Sequence, residues 1–236
     1  MSQTTEFLSR FFLMVKSNIK VVFGNKFIYF LLASLAFFLF LMIINLFSDN
    51  ILNEALCYNI MLPPALILIF YPTTFAIQND DDTKTLEMIF GVPNYRYKVY
   101  LFRFAMIAVI TFGMLLVFGG LNYLALLSFN VGQMALQLLF PVLFCGALSF
   151  MLASMLKSGT STAVIVIIVG LGLWLLGNVL GDTSSWNLFF NPFISSDISE
   201  IRFNELLLRN RIYISIGTLT FLLTTLFKLQ KRENLI

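Results

Sequence analysis

The chain has 236 residues, 59% of them hydrophobic and 11% charged, with a net charge of +3 at pH 7 and a mean hydropathy of +0.89. A soluble domain carries about 45–50% apolar and about 25% charged residues, so too few charges remain here to coat a water-facing surface, which argues against a soluble enzyme. Histidine is absent, and with it the usual catalytic base and the commonest metal ligand.

In residues 1–26, Leu8, Phe11, Phe12, Val15, Ile19, Val22 and Phe23 recur at three-to-four spacing, with Arg10, Lys16, Asn18 and Lys20 mostly on the other side. This predicts an amphipathic helix lying in the inner headgroup plane; a plain cytoplasmic extension of the first span is the alternative. The apolar run that follows is span-length and ends without a small-residue cleavage site, so the segment does not read as a secretory signal. Charges then vanish from five runs, 27–48, 55–79, 104–156, 158–181 and 212–227. A spanning helix needs about 20 apolar residues, so the third run holds two spans joined by a turn at 128–133. The last extends to Leu229 because Lys228 can snorkel.

The prediction is therefore an all-α polytopic membrane protein, one transmembrane domain over 1–236, with spans at 27–48, 56–78, 104–127, 134–156, 160–180 and 212–229. A loop at 79–103 joins the second and third spans, and an outer loop at 182–210 joins the last two. Within the outer loop, 183–196 is too short to cross, contains Pro192 and reads as interfacial or re-entrant. With the N-terminus inside, twelve Lys and Arg fall in inner segments against three outside, Arg202, Arg209 and Arg211. The positive-inside rule then places both termini in the cytoplasm, and the chain in the cell (inner) membrane as a multi-pass protein.

Within the spans, the residues that stand out do so through backbone and packing properties. Pro63, Pro64 and Pro72 remove backbone donors and are expected to kink or break the second span; a kink at Pro63 and Pro64 could line a translocation path. Gly177 and Gly181 have the spacing of a close helix–helix approach. Trp186, Phe189, Phe190, Pro192 and Phe193 read as an aromatic interface belt rather than a substrate platform. Cys57 and Cys145 lie in apolar runs without metal-ligand spacing and read as buried thiols. The triplet Asp80-Asp81-Asp82 reads as a solvated cytoplasmic turn, since consecutive acids point apart whereas a hard cation wants converging oxygens. No span carries a charge in its central part, which disfavours a proton- or ion-coupled carrier, because such relays are built from intramembrane ionisable groups.

No nucleotide-binding signature is present. Lys157-Ser158 comes nearest to a phosphate-binding loop, but Met151 and Leu156 stand where glycines are required. No catalytic residue, metal ligand or cofactor is expected on this chain, and no nucleic acid as partner.

The loop between the second and third spans is the most charged, with Asp80, Asp81, Asp82, Lys84, Glu87, Arg96, Lys98 and Arg103. Thr83 can cap a short helix that reaches Phe90; Gly91 stops it and Pro93 prevents its continuation. Leu86, Ile89 and Phe90 share one face of that helix, an apolar stripe suited to a partner.

The run Asp82-Thr83-Lys84-Thr85-Leu86-Glu87-Met88-Ile89-Phe90-Gly91-Val92-Pro93, followed by Arg103, resembles the cytoplasmic loop of type-2 ATP-binding-cassette (ABC) permeases. In that family an acidic stretch leads into Gly-Thr-Leu-Glu, a few apolar residues, a proline and a basic residue entering the third span; Lys84 here stands in place of the glycine. The layout is also similar, with an interfacial N-terminal helix, six spans, Asn191-Pro192-Phe193 in the last outer loop and a basic tail. The resemblance implies a permease subunit, in the dimer of an exporter, that pairs with a second copy or a similar chain in the lipid bilayer. It also implies docking of two separate ATPase subunits that hold the ATP and magnesium. The segment from Thr83 to Phe90 would be the coupling helix, docking through Leu86, Ile89 and Phe90, with Glu87, Arg96 and Lys98 as a polar rim. The chain itself would not be an enzyme. The competing expectation is a membrane anchor or assembly subunit that uses the same loop without transporting anything.

Overall fold

A computed structural model describes residues 26–48, 51–82, 96–181, 184–194 and 199–229. The expected interfacial helix before residue 26 and the expected coupling helix at 83–90 lie outside the described residues. Among the described residues the regular structure is entirely helical. The helices are α1 (Lys26–Leu46), α2 (Glu54–Thr74), α3 (Ala76–Asp82), α4 (Phe102–Ala125), α5 (Val131–Leu156), α6 (Gly159–Leu180) and α7 (Glu200–Lys228), and a π-helical turn, Arg96–Leu101, leads into α4. Among the described residues six helices are long and apolar enough to cross a membrane. The chain is an all-helical, multi-pass membrane protein.

Local chemistry sets the helix ends. The Asn53 side chain accepts from Leu56 N at 2.8 Å to start α2, and Asn130 accepts from Gln133 N at 3.1 Å to start α5. Lys157 ends α5 in the left-handed region at φ 57°, and Gly181 ends α6 at φ 80°, where a missing Cβ removes the steric cost.

Pro63 and Pro64 do not break α2, which runs as one helix through both. The interruption comes later, at Phe75, three residues beyond Pro72, and separates α2 from the short α3. Pro64 is buried against α1, where Ser34 Oγ donates to the Pro64 carbonyl at 2.7 Å. Ser34→Ala should cost about 0.6 kcal/mol, the average for hydrogen bonds between membrane helices, and thermal unfolding in detergent beside the parent measures it.

α5 is the central helix and packs on α2, α4, α6 and α7. The main core forms where α1, α2, α4 and α5 meet: Phe38 stacks on Phe118 with centroids 4.5 Å apart, beside fully buried Met61, Leu115, Met134 and Leu138. A smaller cluster of Ile77, Tyr100, Phe104, Phe150 and Leu229 holds α3 to the same end of the bundle as the start of α4 and the end of α7. α6 is the most loosely held, with only Gly159, Thr162 and Gly177 buried.

α7 begins at Glu200 rather than near residue 212. At 1.5 Å per residue its 29 residues extend about 43 Å, more than the hydrocarbon core of about 30 Å. The charges that mark a membrane boundary in the sequence do not stop the helix. Glu205 and Arg209, four residues apart, pair across one turn at 2.6 Å and support it.

Candidate functional site

A cleft of about 770 Å³ runs between α2, α5 and α6. On α2 its wall is Asn59, Leu62, Pro63, Leu66, Ile67 and Phe70, a single stripe at helical spacing. The facing stripe on α6 is Val166, Ile167, Gly170, Leu171, Trp174 and Asn178, while α5 contributes Cys145 and Ser149 at the back. Asn187, Phe189, Asn191 and Ile194 close one end. None of the lining residues is charged. Of the two expected path residues, Pro63 lines the cleft, whereas Pro64 faces α1.

Segment 184–194 forms the roof, held by side-chain amides rather than by a helix of its own. Asn187 Nδ2 donates to the Gly177 and Gly181 carbonyls at 3.3 and 3.4 Å, while its Oδ1 accepts from Phe189 N at 3.0 Å. Asn191 Nδ2 donates to the Ala55 carbonyl at 2.9 Å and to Asn59 Oδ1 at 3.1 Å, and its Oδ1 accepts from Phe193 N. From α7, Asn210 Nδ2 donates to the Ser185 and Asn187 carbonyls, at 3.0 and 2.8 Å. Arg211 binds three neutral oxygens: Gln137 Oε1 at 2.7 Å, Asn210 Oδ1 at 2.9 Å and the Phe190 carbonyl at 3.4 Å. The roof meets the requirement that buried polar groups be paired, and it does so almost wholly with amides.

The expected aromatic belt is thus only partly a belt. Trp186 is exposed and stacks on Tyr213 at 4.5 Å, but Phe190, in the same segment, is fully buried, with Tyr58 donating to its carbonyl at 3.4 Å. The Gly177 spacing likewise serves a loop rather than a helix pair, since a Cβ there would lie 2.7 Å from Asn187 Oδ1. Both thiols are free, and only Cys57 is fully buried; Cys145 faces the cleft.

The start of α6, beyond the lining residues, is tied to α3. Gln78 Oε1 accepts from Gly159 N, the first residue of α6, at 2.6 Å. Two residues further on, Asp80 is buried and accepts from Arg103 NH1 of α4 at 2.8 Å, and the Arg103 guanidinium lies 5.6 Å from the centroid of the buried Tyr100 ring. The acidic triplet is therefore not a solvated turn throughout: its first member sits inside the bundle, where the arginine neutralises it. Burial pushes the Asp80 carboxyl above its ordinary range, and the facing guanidinium offsets part of that rise.

Arg96 and Lys98 stand in the π-helical turn before α4. Thr83, Leu86, Glu87, Ile89 and Phe90 belong to the part of the chain outside the described residues. Sequence reasoning passed over Gln78, Asn187, Asn210 and the buried role of Arg211. The available signal was the pair of amides in an otherwise aromatic segment, Asn187 and Asn191, with Asn210 between two arginines further on, because an amide beside a membrane needs a partner. Comparison with family models, with curated proteins and with solved structures finds no match.

Proposed function

We propose that this chain is the permease subunit of an ATP-driven exporter of the type-2 ABC kind. In this reading it sits in the cell membrane with both termini in the cytoplasm and pairs with a second copy or a similar chain. ATP and magnesium belong to two separate ATPase subunits docked on segment 83–90. The observation that carries the proposal is the bonding of α3. This helix leads directly into the segment that resembles a coupling helix, and it is bonded to α6 through Gln78 and to α4 through Asp80. A displacement of that segment would act on α6, one wall of the cleft, at its first residue. The absence of charge along the cleft agrees with energy entering from outside the bilayer.

The test is the double substitution Leu86→Ala plus Phe90→Ala in the full complex, purified with the ATPase that this reading requires. Truncating a buried aromatic anchor costs about 2 kcal/mol or more at an interface, so ATPase copurification should fall and permease-dependent stimulation of hydrolysis should be lost. The ATPase alone should keep its basal turnover. Unaltered copurification and stimulation would overturn the coupling assignment.

A further inference from the structure

The cleft combines two surfaces that no single simple occupant class other than an amphipath satisfies. Along α2 from Leu62 to Phe70 and along α6 from Val166 to Trp174 it is apolar. Near the roof it presents amide groups that the protein leaves free. Asn187 and Asn191 are fully used in holding the roof. Asn59, by contrast, spends only its Oδ1, on Asn191, and Asn178 makes no side-chain hydrogen bond among the described residues. Both side chains are exposed at the cleft, so their spare donors and acceptors stand open to a ligand that can donate and accept hydrogen bonds.

Depth fits the same occupant. Asn59 lies five residues into α2 and Asn178 two residues from the end of α6, which puts both within about 8 Å of the roof end of their helices. From Asn59 to Phe70 the stripe runs about 16 Å at 1.5 Å per residue, close to half the hydrocarbon core of about 30 Å. Its volume of about 770 Å³ falls within the roughly 300–1,000 Å³ of small-molecule sites. Ile167, Leu171 and Trp174 are more than half exposed on the flank of α6, so a tail can enter sideways from lipid. With no charged residue in the lining, an ionic head would find no counter-charge there.

We propose that the cleft binds an uncharged, lipid-like amphipath, its hydrogen-bonding head at Asn59 and Asn178 and its apolar tail along the α2 and α6 stripes. That this occupant is transported cargo rests on the permease reading; the binding does not.

The experiment uses the full chain in phosphatidylcholine nanodiscs, without ATPase, and three photoreactive probes with the same diazirine-bearing tail: monopalmitoylglycerol, palmitate and hexadecane. The glycerol ester should label peptides of α2 and α6 most strongly. Asn59→Leu and Asn178→Leu should each reduce that labelling about five-fold, the net worth of one hydrogen bond. Gly170→Phe should abolish it by filling the cleft, and a Cβ at Gly170 meets no atom within 4 Å, so the fold is spared. Equal labelling by hexadecane, strongest labelling by palmitate, or indifference to Gly170→Phe would overturn the proposal. So would a disulfide between two copies of Asn178→Cys that blocks labelling, because a second chain would then cover the cleft. Because no ATPase is present, loss of ATPase docking in the complex would leave this result standing, and the reverse holds too.

Discussion

Arg103→Leu is expected to destabilise the protein by about 3–5 kcal/mol, the usual consequence of removing one partner of a buried ion pair. Both side chains are almost wholly buried, 5% exposed for Arg103 and 1% for Asp80, so solvent cannot replace the lost partner. Asp80 would remain beside the fully buried ring of Tyr100 with its cation gone. The double substitution Asp80→Leu plus Arg103→Leu should recover most of the loss, since two apolar side chains in place of a buried pair are often neutral or better. Thermal unfolding of the single and double variants in detergent gives the coupling. Equal losses in Arg103→Leu and the double variant would show that packing, not the ion pair, holds α3 to α4.

Arg211→Met should release the roof. The substitution leaves Gln137 Oε1 and Asn210 Oδ1 without the donors that now satisfy them, and leaves the Phe190 carbonyl with Tyr58 alone. A buried acceptor left unpaired costs about 1–3 kcal/mol, so two together should cost about 2 kcal/mol or more unless the segment swings out to water. Swinging out is the cheaper response for a segment with no helix of its own. Leu188, which is 7% exposed, reports it: in a Leu188→Cys background the thiol should react with N-ethylmaleimide far faster once Arg211 is replaced. Each 1.4 kcal/mol raises the open fraction about ten-fold. Arg211→Lys, which keeps the charge but loses the planar fork of donors, should give an intermediate rate. An unchanged rate in Arg211→Met would mean that Asn187, Asn191 and Asn210 hold the roof without it.

The sequence by itself determined the class of the molecule and the places of its membrane-length helices, the start of α7 excepted. That information is local: a charge-free run near 20 residues has one favourable arrangement in a membrane, because a helix satisfies its own backbone there. For the same reason the turn at 128–133, where Asn130 caps α5, was marked by its residue types. The tertiary structure decided where that local logic stops. Charge at Asp80, Arg103 and Arg211 reads as solvent when partners are counted along the chain, yet Asp80 and Arg103 are 23 residues apart and Arg211 reaches Gln137 across 74. Pro63 and Pro64 read as a kink or a break, but α2 runs on through both, with Pro64 buried and its carbonyl accepting from Ser34. The cleft is the clearest case, for its walls lie on α2 and α6, about a hundred residues apart in the chain, and its roof is a segment that sequence reasoning assigns to the membrane surface. Burial and pairing across such separations depend on how helices pack, and packing is a property of the whole bundle rather than of any one stretch.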